Sequence, residues 1–351
     1  MKPLDIMLVG DGIENPHNAQ TMIHAAEMFG CGCAFRDTHG LQAATVEGEQ
    51  KVVEEVTISE LASSHPFLIG FDNSAGAQAI YGFRAPPGVA GALVVGNERH
   101  GLSREMSAAV STAVEIPMAS KEINCLNVAA ASGVGLYYLS RGSVGRLRTG
   151  GNPDRRRPEI MLMGGDDHVE LGSAIRSACA FGWRRCLLDD PGGVWFGSER
   201  WKRAEGRAAS RASRNTTRVV AVTESSRLSY RDVVVVNTRG IGTPLGRARL
   251  TGGPEQLVAI PDESRHCVED LLETRFAGAT PVHVELPAGR FIYHYRLVAT
   301  IAMAEVFRQV GRGAPKRQER RGRDVPFYDK ALDSAVSEAG VEFCLEDLLD
   351  Y

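Results

Sequence analysis

Three short segments in the first part of the chain carry residue types that could bind a ligand and transfer a group. The first is Asn15-Pro16-His17-Asn18, the second runs from Gly96 to Ser103, and the third joins Ile116-Pro117-Met118 to Asn124 through Val128. The glycines of the second segment allow a sharp turn and a close approach of backbone to a ligand. The third segment places free backbone N–H groups at the head of a helix. Taken singly, each segment is also explained by an ordinary helix cap or tight turn.

The elements that must position these segments alternate between strand and helix. Apolar runs predict strands at Ile6 to Val9, Phe67 to Phe71 and Leu93 to Val95. A helical pattern opens at Asn18, a residue suited to an N-cap, and stops at Gly30. A long apolar helix is predicted from Leu126 to Leu139. This order favours the α/β class, with a mostly parallel sheet covered on both faces.

The bulk composition is that of an ordinary globular protein of two domains. The chain has 351 residues, 43% hydrophobic and 24% charged, with a formal net charge of −3. This charge gives no overall attraction to nucleic acid, so RNA contacts would need local basic patches. Seven cysteines without a CxxC pair indicate neither a metal site nor a disulfide framework. We expect no metal, no signal peptide, no membrane helix and a cytoplasmic location.

The second half of the chain echoes the first at three landmarks in the same order. Glu159 to Gly164 echoes Asp5 to Gly10, Ser173 to Gly182 echoes Thr21 to Gly30, and Val284 to Pro287 echoes Val114 to Pro117. The last landmark is followed in each half by one apolar helix, here Leu297 to Phe307. We therefore predict a tandem duplication.

The predicted boundaries follow from this repeat and from composition. The first domain spans 1–142, a Gly-, Pro- and Arg-rich linker spans 143–158, the second domain spans 159–311, and a tail spans 312–351. The second domain also carries a basic stretch from Arg200 to Arg218, absent from the first. This stretch is either a solvated helix face or an insertion that contacts RNA.

The order of the three segments resembles the motifs of a known family. NPxN, then GNExxGLS, then IPM with LNV before an apolar helix, are similar to the motifs of the SpoU/TrmH-type branch of the SPOUT superfamily, over Leu4 to Arg141. The resemblance implies an α/β domain with a deep trefoil knot in the first copy, and leaves a second knot open. It also implies that S-adenosylmethionine is the cofactor, that such proteins usually act as dimers, and that the substrate is a ribose 2′-hydroxyl of tRNA or rRNA.

The resemblance also assigns roles to residues. It implies a cofactor pocket lined by Gly96, Asn97, Glu98, Ile116, Met118, Cys125, Leu126 and Asn127. Glu98 would also lie close to the reacting centre, and Asn18 matches the asparagine of the first motif. Two positions depart from the family pattern, since His24 stands where a catalytic Arg is usual and Cys125 where a Ser is usual.

The second copy supplies the missing arginine. The echo aligns His24 with Arg176, Asn18 with Glu170 and Asn127 with Leu297, so only the first copy keeps the cofactor motifs. We predict a pseudo-dimer within one chain, with one active site between the copies; the chain is either monomeric or pairs again as a homodimer. Arg176 would clamp an RNA phosphate and stabilise negative charge, because its pKa is too high for a base.

The sequence leaves three functions open. The favoured one is the RNA methyltransferase, in which His24 would be an auxiliary proton acceptor. The second is a methyltransferase acting on a small molecule or peptide, and the third is a non-catalytic RNA-binding protein with this fold. Salt-sensitive RNA affinity separates the favoured reading from the second.

Overall fold

The computed structural model describes nine segments of the chain. They are residues 6–36, 41–44, 50–74, 76–119, 126–141, 157–198, 217–222, 230–287 and 291–310. Most of the predicted linker, the stretch from Arg200 through Thr216, the tail and Cys125 therefore lie outside the described residues.

The N-terminal unit is built on a six-stranded parallel sheet. Its strands are β1 (Ile6–Asp11), β2 (Cys33–Arg36), β5 (Phe67–Phe71), β6 (Gln78–Ala79), β7 (Gly91–Gly96) and β8 (Thr112–Glu115), in the order β2-β1-β7-β5-β8-β6. A separate antiparallel hairpin pairs β3 (Gln42–Ala44) with β4 (Gln50–Val52). The helices are α1 (Pro16–Phe29), α2 (Ile58–Ser64), α3 (Arg104–Ala109) and α4 (Val128–Arg141), with a 3₁₀ turn at Ile80–Gly82.

The C-terminal unit is built on a seven-stranded parallel sheet. Its strands are β9 (Glu159–Met163), β10 (Arg185–Asp189), β11 (Arg218–Ala221), β12 (Asp232–Asn237), β13 (Thr243–Pro244), β14 (Gln256–Pro261) and β15 (Thr280–His283), in the order β11-β10-β9-β14-β12-β15-β13. The described helices are α5 (His168–Ala180), α6 (Val268–Glu273) and α7 (Tyr295–Val310). The prediction of two parallel-sheet α/β units is confirmed.

The two sheets share one strand order once the edge strand β11 is set aside. Both central strands, β7 and β14, are buried at every residue, as expected where helices cover both faces of a parallel sheet. A duplicated chain predicts this common order. Duplication itself, the domain boundaries and the trefoil knots stay predictions.

The last helices of the two units hold the units together. Helix α4 packs against α7, while α1 packs on α4 and α5 packs on α7. Gly133 allows the close approach, since a Cβ there would lie 3.0 Å from Leu297 Cδ2. Tyr138 of α4 donates a 2.7 Å hydrogen bond to the buried Glu305 of α7, which is also paired with Arg308. The interface therefore combines apolar packing with a satisfied polar group.

Two kinds of feature are absent from the described segments. No described helix has the length and apolar character needed to span a membrane. Within the same residues, no cluster of three or more His, Cys, Asp or Glu side chains is arranged to hold a metal ion.

Candidate functional site

The three segments singled out in the sequence converge at the carboxyl edge of the N-terminal sheet. The first segment follows β1, the second follows β7, and Ile116 to Met118 follow β8. The chain leaves β1 toward β2 on one side and later returns to place β7 on the other. Such a point of reversal is where open parallel sheets bind ligands.

The first turn of α1 is capped by Asn15 and not, as predicted, by Asn18. Asn15 Oδ1 accepts hydrogen bonds from the backbone N–H groups of His17 at 2.7 Å and Asn18 at 3.3 Å. Pro16 suits the first helical position, where no N–H is needed, and this moves the helix start two residues upstream. Asn18 is therefore a residue of the first helical turn, and its side chain bonds a group outside the helix.

A hydrogen-bond chain, buried at Asn18 and Asn127, joins three of the predicted site residues. Asn18 Nδ2 donates to Glu98 Oε1 at 3.0 Å, and Asn127 Nδ2 donates to Asn18 Oδ1 at 2.9 Å. Asn127 Oδ1 in turn accepts from the N–H groups of Ala129 and Ala130, so it caps α4. One residue from each segment is thus locked into a single network, which fixes the head of α4 against the loop after β7.

Glu98 is the ionisable group of this network. Burial raises its pKa, against the opposing effect of hydrogen bonds from Asn18 and from nearby backbone N–H groups, including that of Glu14. A carboxylate with a raised pKa is a better proton acceptor near neutral pH than an ordinary one. Glu98 is therefore the group of this network whose affinity for a proton is raised by burial.

The loop after β7 is closed by its own backbone and by the Asn97 side chain. Asn97 and Gly101 exchange two backbone hydrogen bonds of 2.9 Å each. Asn97 Oδ1 accepts from the N–H groups of Arg99 and His100, while its Nδ2 donates to Gly12 O at 2.6 Å and to Glu14 Oε1. Both ends of this amide are engaged within the protein. Asn97 therefore stabilises the shape of the loop. Its side chain is bonded within the protein, which does not favour the predicted direct contact with the cofactor.

A supporting pair that sequence reasoning missed holds the far end of this loop. Buried Asp11, the last residue of β1, accepts a 2.7 Å hydrogen bond from the backbone N–H of Ser103 and pairs with Arg36 at 2.7 Å. Arg36 also donates to Ser103 Oγ at 3.2 Å. A charged residue at the end of a buried strand was the available signal, since such a group must find partners nearby.

Apolar residues form the remaining side of the edge. Ile116, Met118 and Leu126 are all at least nine-tenths buried and belong to the main core. They follow β8 or precede α4, so they lie between the sheet edge and the capped helix head. Their positions fit the predicted apolar wall of a cofactor pocket.

Arg176 lies on α5 of the C-terminal unit and is buried. Ala180, one turn further along the same face, accepts a 3.1 Å hydrogen bond from the backbone N–H of Ala119. The C-terminal end of α5, one turn after Arg176, therefore meets the segment that follows Met118. The second unit thus borders the edge where the three motif segments converge.

The equivalent positions of the second unit form a different cluster. Glu170 accepts from His294 Nδ1 at 3.0 Å, just as Asn18 accepts from Asn127. His294 directly precedes α7, as Asn127 directly precedes α4, so His294 is the structural counterpart of Asn127 and the predicted Leu297 is wrong. The sequence echo misplaced it because the segment before α7 is three residues shorter than the echo at Val284 to Pro287 implies.

His24 belongs to this second cluster and not to the Glu98 network. Its Nδ1 lies 2.8 Å from His294 Nε2, and the two rings stack with centroids 5.1 Å apart. Burial, together with the facing His294, lowers the pKa of His24 to about 4. A ring bonded to His294 and holding protons so weakly does not fit the predicted role as proton acceptor in the first site.

Replacement of His24 by Gln is expected to reduce the acid sensitivity of folding. A base whose folded pKa is about 4, against 6.5 in a model peptide, keeps its stability above pH 6.5 and loses it progressively as the pH falls toward 4. His294, directly before α7, faces it, and the Glu170 carboxylate of α5 holds both His294 and Arg296 of α7. Urea midpoints measured at pH 7.5 and pH 5 should therefore differ less in His24→Gln than in wild type. His100→Gln, at an exposed histidine, is the control. If both variants change the pH dependence of the urea midpoint equally, the assignment of this dependence to His24 is wrong.

The comparisons with known proteins agree with the motif resemblance. Residues 5–137 match the model of the SpoU rRNA Methylase family, which confirms the resemblance predicted for the N-terminal unit. This match covers less than half of the chain. No curated protein matches the chain.

Several solved structures are similar to part of this chain. One, from a study of 2-OH methylation of C/U34 on tRNA, is 23% identical with a TM-score of 0.32, covering 39% of this chain and 94% of its own. A TrmH/SpoU tRNA modifying enzyme of A. aeolicus is 22% identical with a TM-score of 0.33, covering 39% and 74%. The SpoU methyltransferase AviRb of Streptomyces viridochromogenes, in complex with AdoMet, is 23% identical with a TM-score of 0.31, covering 38% and 59%.

Proposed function

We propose that this chain transfers a methyl group from S-adenosylmethionine to a ribose 2′-hydroxyl of tRNA or rRNA. The observation that carries the proposal is the chain of hydrogen bonds joining Glu98, Asn18 and Asn127, since it unites the three motif segments within the part that matches the SpoU model. Residues 1–142 would form the catalytic domain and 159–311 a degenerate second copy.

The residues present fit S-adenosylmethionine at this edge. Gly96 brings the backbone of the loop close to the strand end, because a Cβ there would lie 2.1 Å from the carbonyl carbon of Gly101. Buried Ile116, Met118 and Leu126 suit an adenine ring, and backbone groups of the loop suit the polar parts of the molecule. When bound, the cofactor would supply an electrophilic methyl group on a positively charged sulfur.

The chain's own residues would then align the hydroxyl and remove its proton. Methyl transfer to oxygen is an in-line displacement, so fixing the geometry supplies much of the acceleration. As the oxygen–carbon bond forms and the carbon–sulfur bond breaks, the hydroxyl proton must leave. Glu98 would accept it, since its raised pKa suits a general base and Asn18 fixes the orientation of its carboxylate.

Arg176 would act from the second unit on the same reaction. A guanidinium binds phosphate through two parallel hydrogen bonds and stays charged at all relevant pH values. From α5, whose C-terminal end meets Ala119, Arg176 would hold an RNA phosphate and stabilise negative charge developing on the hydroxyl oxygen. The catalytic set would therefore be Glu98, Asn18 and Arg176, without His24.

One such site per chain is the arrangement that the two clusters support. In the second unit the equivalents of Asn18 and Asn127 are Glu170 and His294, and the carboxylate of Glu170 pairs with both His294 and Arg296. Burial alone would raise the pKa of Glu170, but Arg296 and His294 outweigh it and lower that pKa. This charged cluster differs in chemistry from the network of Glu98, Asn18 and Asn127.

Calorimetric titration with S-adenosylhomocysteine tests the binding half of the proposal. We expect one site per chain, with affinity lost in Asn127→Ala because the head of α4 loses both its cap and its tie to Asn18. Thr57→Ala, which removes the N-cap of the remote helix α2, is the matched control and should bind normally. Two sites per chain would contradict the degenerate second copy.

Methyl transfer from labelled cofactor to bulk tRNA and rRNA tests the chemical half. Label recovered in alkali-resistant dinucleotides supports ribose methylation. Cofactor binding without RNA labelling would favour a small-molecule or peptide substrate. RNA binding without any cofactor binding would favour a non-catalytic RNA-binding protein.

A further inference from the structure

Arg296 of the C-terminal unit reaches across to the first turns of α1 in the N-terminal unit. It is the second residue of α7, and only 2% of its surface is exposed. Its Nη2 donates to the carbonyl oxygen of His17 at 3.3 Å and to Thr21 Oγ1. Thr21 Oγ1 itself donates to His17 O at 2.8 Å, so one guanidinium nitrogen ties together a full helical turn.

This turn is the one that carries Asn18. His17 directly precedes Asn18, and Thr21 lies one turn later on the helix. Asn18 in turn donates to Glu98 and accepts from Asn127. Arg296 therefore contacts one residue before Asn18 and one residue after it in the sequence, and Asn18 is the central residue of the Glu98 network.

Arg296 is itself fixed from behind by the second unit. Its Nε lies 3.1 Å from Glu170 Oε1, and its backbone N–H donates to Glu170 Oε2 at 2.7 Å. His294 holds the same carboxylate, and His24 stacks on His294. An arginine held at both ends has little freedom to move, so the position it imposes on α1 is well defined.

We propose that Arg296 is a positioning residue for the site of the N-terminal unit. It acts through the first turn of α1, which it holds in the place that lets Asn18 bridge Glu98 and Asn127. The corresponding residue two positions after Asn127 is Ala129, so the reverse clamp does not exist. The cluster formed by His24, Glu170, His294 and Arg296 thus serves the first site. This inference rests on the proposed function for its catalytic consequence, but the clamp itself is independent of it.

The test compares two matched double variants. Arg296→Met with Glu170→Gln removes the clamp without leaving a buried charge unpaired. Arg308→Met with Glu305→Gln removes a second buried ion pair of α7, whose glutamate bonds Tyr138 of α4. Hydrogen–deuterium exchange reads the amides of α1 and α5, and methyl transfer is measured at saturating cofactor together with S-adenosylhomocysteine affinity.

The clamp predicts faster exchange in residues 17–24 in the first variant, with α5 little changed. Methyl transfer should fall about 10- to 100-fold because Asn18 is displaced, while cofactor affinity stays within about twofold. Arg296→Lys, which keeps the charge but not the fork, should restore part of the activity. Equal exchange changes in α1 and α5, or the same result in the Arg308 variant, would overturn the proposal. If the wild-type protein methylates no RNA, the proposed function is wrong, and hydrogen exchange in α1 still tests whether Arg296 holds this helix in place.

Discussion

Replacement of Arg176 by Ala should slow methyl transfer about 10²- to 10³-fold while S-adenosylhomocysteine affinity changes by no more than about twofold. The reason is that Arg176 comes from α5, whereas the cofactor motifs all come from the N-terminal unit. A donor that acts on the phosphate and on the developing charge contributes only when RNA is present and reacting. Single-turnover methylation and calorimetry, run on the same preparation, measure the two quantities separately.

Two further measurements separate an effect on catalysis from an effect on folding. Arg176→Lys should recover part of the rate, since an ammonium keeps the charge but cannot bind a phosphate through two parallel bonds. Thermal unfolding must show that each variant is folded, because the side chain is buried. A parallel loss of rate and cofactor affinity would mean that Arg176 supports the fold of the site and does not contact RNA.

Replacement of Gly96 by Ala should abolish cofactor binding and, with it, methyl transfer. A Cβ at Gly96 would lie 2.1 Å from Gly101 C, 2.2 Å from Leu102 N and 2.4 Å from Gly101 O. All three are backbone atoms, so no side-chain rotation relieves the overlap. The loop must open, and the paired hydrogen bonds between Asn97 and Gly101 must break. Calorimetric titration with S-adenosylhomocysteine gives the readout.

Gly82→Ala is the matched control for this substitution. No atom lies within 4 Å of a Cβ built at Gly82, so the same added methyl group meets no neighbour. We expect normal cofactor affinity there. Retained affinity in Gly96→Ala would show that the loop after β7 is not part of the cofactor site.

The sequence was sufficient to predict the class of fold and to single out the segments of the candidate site. The strands predicted at Phe67 to Phe71 and at Leu93 to Val95 correspond to β5 and to the centre of β7. Buried strands of a parallel sheet are continuous apolar runs, and such runs are visible without a structure. The resemblance also singled out the three segments that the structure brings together at one edge.

Contacts between distant residues were beyond the reach of sequence patterns. The tie between Asn18 and Asn127 joins residues 109 positions apart, and that between Arg296 and Thr21 joins residues 275 apart. Nothing local in either segment indicates such a partner. The start of α1 was misjudged for a related reason, since Asn15 and Asn18 are both good caps and only the fixed φ of Pro16 decides between them.

The covalent connection of the two sheets has a genetic consequence. In an assembly of two identical chains, every substitution is made twice, so a change that helps one face of the interface is also imposed on the other. Here Asn18 and Glu170, or Asn127 and His294, occupy comparable places yet are encoded separately. Each side of the α4–α7 contact can therefore accumulate changes that would be incompatible with the other, such as a charged cluster on one side and a neutral amide network on the other.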